Sequence, residues 1–323
     1  MPDGIFTPKP RTLRHIAELE AAGFLAPADH AAMQSVAARY AVAVPPALAA
    51  LIEHADDPLG LQFLPHPAEL ITAPHESADP IADEALSPIP GIVHRYPDRA
   101  LLKPLLACPV YCRFCFRREQ VGPDGGLLTQ AELEAAYAYL ESHPGIREVI
   151  LTGGDPLILS PRRLSGILRR LEAIPHIELL RIHTRVPVAD PALLNDALLA
   201  ALSIEKPLYI AVHSNHAREL TPDAQTACRK LTRLGIPLLG QTVLLAGVND
   251  SEAALADLFR AMLRARIKPH YLHQLDPAPG TARFYVAPER GRELLKQLRG
   301  TISGTALPTY ILDRPGGLGK IPL

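Results

Sequence analysis

The chain has 323 residues, 48% of them hydrophobic and 21% charged, with a formal net charge of −1. That balance describes a globular chain with ample material for a core, and it excludes an overall field drawing the protein to nucleic acid or a membrane surface. Four cysteines, three of them within eight residues, make a poor disulfide framework and suit metal or redox chemistry in a cytosolic enzyme.

The opening "MPDGIFTPKPRTLRH" has no apolar h-region and reads as mature cytosolic protein. "TLRHIAELEAAGF" and "PADHAAMQSVAARYAV" carry helical periodicity and predict two amphipathic helices, separated by Gly23 and Pro27. Residues 56–93 are rich in proline and poor in periodicity, and read as an irregular connector crossing the surface of the next domain. The chain therefore divides near residue 90, into a helical extension with its connector (1–90) and a larger domain (91–323).

From about residue 100 the pattern becomes regular. Apolar or β-branched runs lie at 101–107, 147–152, 178–184, 208–213, 238–245, 269–275 and 308–313. Helix-like stretches lie between them, at 129–142, 161–173, 191–202, 221–234, 251–265 and 288–299. Thr129 with Glu132, and Thr221 before Pro222, are cap signals at two helix starts. Strand–helix alternation implies βαβ units and a parallel sheet. The expected fold is α/β, a partial (β/α)6-type barrel with an N-terminal helical extension; a flat doubly wound sheet is the alternative. The apolar stretch 236–248 is too short to cross a bilayer.

Unusual polar residues recur at the ends of the runs: "CPVYCRFC", "TGGD" (152–155), "HTR" (183–185), "HSNH" (213–216), Gln241, "HQLD" (273–276) and Asp313. In parallel α/β folds ligands bind at the carboxyl ends of strands. So many coincidences in register mark an active-site face.

Cys108, Cys112 and Cys115 are spaced C-x3-C-x2-C, among Arg113, Arg117 and Arg118. Three thiolates do not complete a structural zinc tetrahedron, although a distant histidine would. An iron–sulfur cluster takes thiolates as its standard ligands, and three for four irons leave one iron open. Cys228 falls inside a predicted helix and reads as a buried structural residue. Taken alone, Gly153-Gly154-Asp155 is a tight turn, "HRYPDR" a solvated loop and "RPGGLGK" a flexible tail. Asp276 and Asp313 read alone as caps of the loops after them.

The cysteine motif, with Phe114 before its last cysteine, resembles the signature of the radical S-adenosylmethionine superfamily. "HRYPDRALLKPLLACPVYCRFCFRRE", "LTGGDPL", "IPHIELLRIHTRVPV", "GQTVLLAGVND" and "PGGLGK" are similar to the lysine 2,3-aminomutase family, in order, over roughly residues 85–323. The resemblance implies a (β/α) barrel holding a [4Fe-4S] cluster on Cys108, Cys112 and Cys115. It implies S-adenosylmethionine chelated at the open iron near Gly153, Gly154 and Asp155, with Arg185, His213 and Gln241 as further cofactor contacts. It implies pyridoxal 5′-phosphate held as an imine on Lys320, with Arg95 and Arg99 at its phosphate and Tyr96 beside its ring. Arg117 would bind the substrate carboxylate, and Asp276 and Asp313 the ε-ammonium of L-lysine. A glutamate would meet two like charges there, so the pattern favours lysine.

The implied reaction moves the α-amino group of L-lysine to C3, giving β-lysine, with electrons from a flavodoxin or ferredoxin. Neither nucleic acid nor membrane is expected as a partner, and a homo-oligomer is compatible with the family. A branch making (R)-β-lysine to modify elongation factor P shares "CFRRE" and "GGDPL"; the ending "LDRPGGLGKIPL" matches the free-lysine branch. The free-lysine enzymes continue past the lysine with a zinc-binding segment that this sequence lacks, which leaves its assembly open. An aminomutase of another amino acid, and a radical enzyme of another reaction class, are the remaining alternatives; the latter would not need Lys320 or the two aspartates.

Overall fold

A computed structural model describes residues 11–314 and 319–323. The glycines of "RPGGLGK" before Leu318 lie outside the described residues; Gly319 and Lys320 lie inside.

Among the described residues nine strands form one sheet in chain order: β1 (Ile92–Tyr96), β2 (Arg99–Leu105), β3 (Glu148–Gly153), β4 (Leu179–Thr184), β5 (Leu208–His213), β6 (Leu238–Val243), β7 (Ile267–His273), β8 (Thr309–Arg314) and β9 (Gly319–Pro322). β2 to β8 are parallel, and β1 and β9 add antiparallel hairpins at the two edges. The sheet curls into a nearly closed barrel, as the alternation of runs predicts, and the flat-sheet alternative falls. The seven predicted runs are β2 to β8. The hairpin strands β1 and β9 carry no apolar run that would predict them.

Helices precede and alternate with the strands: α1 (Ile16–Ala21), α2 (His30–Arg39), α3 (Pro46–Ala49), α4 (Pro58–Phe63), α5 (Gln130–Glu141), α6 (Pro161–Glu172), α7 (Val186–Ala189), α8 (Asp196–Ala201), α9 (Pro222–Arg233), α10 (Glu252–Arg264) and α11 (Pro288–Leu298). None of the described helices is long and apolar enough to cross a membrane. α5 begins as its sequence predicts. Thr129 Oγ1 accepts from the Glu132 amide at 3.2 Å, and Glu132 Oε2 accepts from the Thr129 amide at 2.7 Å.

Alternate strand residues serve two different neighbourhoods, because side chains switch faces at every residue. Leu102, Val149, Leu151, Leu180, Ile182, Ile210 and Val212 point out and pack under Leu133, Leu140, Leu164, Leu168, Ala227 and Leu231 of the helices. Cys228 of α9 is buried in that same core. The opposite set, including Arg99, Glu148, Arg181, His183, His213 and Gln241, lines an internal cavity. The barrel is therefore packed outside and polar inside.

The N-terminal segment is more than a surface crossing. Ile16, Leu19, Met33, Leu48, Leu59 and Phe63 form a second core, which closes over Val110 of the cysteine loop and Ala189 of α7. α4 starts at Asp57, whose Oδ1 accepts from the Leu59 and Gly60 amides at 2.7 Å each. α4 sends Gln62 inward and the stretch after it Glu69 and Asp83, all buried.

Candidate active site

A cavity of about 490 Å³ opens at the carboxyl ends of the strands. Every site residue singled out by sequence lines it: Cys108, Cys112, Cys115, Gly153, Gly154, Asp155, Arg185, His213, Gln241, Arg95, Tyr96, Arg99, Arg117, Asp276, Asp313 and Lys320.

The cysteines occupy the loop after β2. Burial raises all three thiols: Cys108 well above its ordinary value, Cys112 to about 11, and Cys115 in the same direction. Such thiols need positive charge to ionise, and an iron cluster supplies it. No set of three His, Cys, Asp or Glu side chains among the described residues converges on a single-ion position. Thiols spread along one wall suit a cluster, which distributes its ligands over separate irons.

Three arginines brace this loop, each against a buried acid. Arg113 Nε donates to both oxygens of Glu69 at 3.0 Å, and Arg118 bonds the same carboxylate. Arg117 donates to Asp83 Oδ2 through Nε at 2.9 Å and Nη2 at 2.6 Å. Its Nη1 has no partner among the described residues. Arg185 pairs with the buried Glu219. Sequence reasoning missed Glu69, Asp83 and Glu219. Their signal was weak, since each lies in a stretch without helical or strand periodicity.

The glycine-rich strand end earns its residues by contact. A Cβ on Gly154 would run into the backbone carbonyl of Ala107, next to Cys108. Asp155 was expected at a cofactor. Its carboxylate accepts from the amides of Leu157 at 3.1 Å and Arg185 at 2.7 Å, and from Thr184 Oγ1 at 2.8 Å. It ties β3 to β4, and burial raises its pKa.

The opposite wall holds Lys320. The β8–β9 register sets Asp313 against Lys320, and Lys320 Nζ lies 2.6 Å from Asp313 Oδ2. The Lys320 amide donates to the Tyr96 hydroxyl at 3.1 Å. Gly319, at φ +78°, has no room for a side chain, because a Cβ there would strike the Tyr96 ring. Arg95, expected at a phosphate, bonds Asp313 and the carbonyl of Ile81. Arg99 lies over the Tyr96 ring at 3.6 Å. The Asp276 carboxylate makes no hydrogen bond among the described residues; burial, then the nearby Asp313, lift its pKa to about 7.

Histidines line the floor. His213 Nε2 and His183 Nδ1 are 3.3 Å apart. Burial pushes His213 down to about 3, and His183 and His273 well below their ordinary range, so all three are neutral at pH 7. His183 and His273 belong to the strand-end stretches "HTR" and "HQLD" that the sequence marks as an active-site face, whereas Arg181 and Glu148 were missed as cavity residues. Their signal was present: each is polar and sits at an alternating position of an otherwise apolar strand.

The arrangement can hold a cluster at one wall, form an imine at the other, and grip a cation between two carboxylates. The Radical SAM superfamily model matches residues 102–259. An L-lysine 2,3-aminomutase of Escherichia coli (strain K12) is 39% identical over 270 residues, 83% of this chain and 78% of its own length. That of Acetoanaerobium sticklandii is 38% identical over 272 residues, covering 84% of this chain and 66% of its own. A glutamate 2,3-aminomutase of Clostridioides difficile is 36% identical over 293 residues, covering 90% and 69%. Among solved structures, a radical SAM methyltransferase from Sphaerobacter thermophilus aligns at 21% identity, a TM-score of 0.47 and 69% of each chain.

Proposed function

The chain belongs to the lysine 2,3-aminomutase family of radical S-adenosylmethionine enzymes, and from that premise we propose that it is an isomerase moving the α-amino group of L-lysine to C3, giving β-lysine. One observation carries the choice of substrate: Asp276 and Asp313 face the same cavity as Arg117 and Lys320. Two carboxylates at one end and a guanidinium at the other fit an amino acid with a distal cation. A glutamate side chain would bring a third negative charge to that end, at high cost in a dry site.

The cofactors, when bound, supply the hard chemistry: a [4Fe-4S] cluster and S-adenosylmethionine generate the radical, and pyridoxal phosphate carries the migrating nitrogen. The residues present suit them. Cys108, Cys112 and Cys115 would hold three irons. The strand end at Gly153 and Gly154 leaves open backbone for the methionine part of S-adenosylmethionine, with Asp155 bracing it and Arg185, His213 and Gln241 beside it. Lys320 would carry the pyridoxal group, next to Tyr96 and Arg99.

The protein's own work is to bind, orient and exclude. Arg117 holds the substrate carboxylate, kept in place by Asp83. Asp313 is positioned by Arg95 and releases Lys320 Nζ to take the substrate ammonium. Asp276 loses its proton when that ammonium arrives, because the new cation offsets the charge of Asp313. Anchors at both ends keep the reacting carbon beside its hydrogen donor. The enclosing strands keep water away from reactive species. We further infer a flavodoxin- or ferredoxin-type donor, a cytoplasmic setting, and service either in free-lysine metabolism or in modifying elongation factor P.

The test is direct. Protein purified without oxygen, loaded with iron, sulfide and pyridoxal phosphate, is given S-adenosylmethionine, reductant and L-lysine, and chiral chromatography tracks β-lysine. (R)-β-lysine assigns the elongation-factor branch and (S)-β-lysine the free-lysine branch. No β-lysine from fully loaded protein sinks the lysine assignment.

A further inference from the structure

A second cavity, of about 420 Å³, lies on the outer side of the cysteine loop and shares no lining residue with the first. Ala107 lines this one and Cys108 lines the other, so at the first cysteine the wall between them is one residue thick. Its sides are apolar, from Leu105, Ala107, Leu127, Ile158 and Leu159. Leu127 is 51% exposed. The loop that carries it is pinned to the end of β2. The Gly122 amide donates to the Leu106 carbonyl at 3.0 Å, and a Cβ on Gly125 would strike that same carbonyl.

The rim of this hollow is mostly positive. α6 starts there with Ser160 as its cap, which puts the positive end of the helix dipole at the cavity. Arg163 bonds the Leu128 carbonyl through Nη2, and its Nε has no acceptor among the described residues. Arg162 beside it is exposed. Asp124 is the one acid lining the cavity.

The other sides of the cysteine loop are covered. The N-terminal core closes over Val110 and packs on Cys112, and Phe114 is capped by Leu245, Val248, Leu275 and Phe284. A cluster on these cysteines takes each electron from outside, and the Ala107 side offers a partner a concave surface. Adjacent Cα atoms are about 3.8 Å apart, so a redox group seated on Ala107 is separated from Cys108 by little more than one peptide. An apolar hollow with a positive rim fits a partner whose apolar tip is ringed by acids. An acidic flavodoxin-type carrier has that surface, with the apolar edge of its flavin at the tip.

We propose that the hollow between Leu127 and the start of α6 is the docking site of an acidic flavodoxin-type electron carrier. This rests on the reading of Cys108, Cys112 and Cys115 as ligands of a [4Fe-4S] cluster. One electron passes from the reduced flavin to the cluster; no bond forms or breaks. Leu127 supplies the apolar contact and Arg162 steers the approach.

The experiment uses the full chain with its cluster loaded. Bleaching of the cluster's visible absorbance is followed after mixing with reduced flavodoxin or, separately, with dithionite, which needs no docking site. Leu127→Glu should slow reduction by flavodoxin roughly tenfold or more, and Arg162→Glu roughly threefold to tenfold with a weaker dependence on salt. Neither should change iron content or reduction by dithionite. Arg169→Glu, the same charge change farther along α6, should leave both rates alone. Wild-type rates with flavodoxin in Leu127→Glu and Arg162→Glu, or equal slowing with both reductants, overturn the inference. So does a dimer of the wild type that Leu127→Glu splits while reduction by flavodoxin is unchanged, since the hollow then serves a second copy of this chain. If the variants do not fold, hydrogen exchange of the wild type decides: flavodoxin should protect 122–128 and 158–163, and no protection there overturns the inference. A wild type whose iron and sulfide load forms no cluster that dithionite bleaches refutes the cluster reading instead, and this inference with it.

Discussion

Asp276 is the residue whose surroundings say most about the substrate. It is half-buried, its carboxylate has no hydrogen-bond donor among the described residues, and its pKa is lifted to about 7 because burial and Asp313 disfavour its charge. The folded protein thus holds a proton that the unfolded chain gives up near pH 4. Stability from this group is present below pH 4 and is lost as pH rises to about 7. Thermal denaturation of the cofactor-free protein from pH 5 to 8 should show that loss, and Asp276→Asn should flatten it. The same variant should weaken lysine binding roughly tenfold to a hundredfold, measured by calorimetry on the loaded enzyme. Which residues face the cavity was legible in the sequence, because strand ends collect ligands and the motifs fix their order. Which of them are already spent was not. Asp155 and Arg95 read as cofactor ligands, yet the first holds Thr184 and Arg185 and the second holds Asp313. Side-chain partners from distant segments leave no periodic trace.

Elements were easier to read than partners. Hydrophobic period and caps located β2 to β8 and the long helices between them, because each buries one face. β1 and β9 escaped, since short edge hairpins have no apolar face to announce them. Two local tests belong at this scale. Thr129→Ala removes the side-chain half of the capping box on α5, leaving only the bond from its own amide to Glu132, and should cost about 1 kcal/mol, read by denaturant unfolding. Gly154→Ala drives a methyl into the carbonyl of Ala107, beside the first cysteine. It should destabilise by about 1–3 kcal/mol and reduce bound iron and sulfide, while Gly166→Ala, on a helix face with open space around it, should do neither.

At the scale of the molecule, the N-terminal layer is part of the catalytic half. Glu69 comes from the stretch read as a surface connector, yet it is fully buried and shared by Arg113 and Arg118, with Arg283 3.9 Å away. Burial would raise its pKa, but those arginines hold it below the ordinary carboxylate range and so keep it charged. Glu69→Gln leaves buried guanidiniums short of a counter-charge and should cost about 3–5 kcal/mol, seen as a lowered Tm and poor iron retention. The sheet, for its part, is a ring with one seam. Its first strand meets its last through the Tyr96 hydroxyl and the Lys320 amide, and Gly319 leaves just enough room for that contact. The lysine therefore rides on the clasp. During synthesis, the cysteine loop emerges about two hundred residues before Lys320 does, on the order of ten to forty seconds at ordinary rates of translation. The iron-binding half can be built and filled while the seam still stands open, and the reactive amine is brought in last.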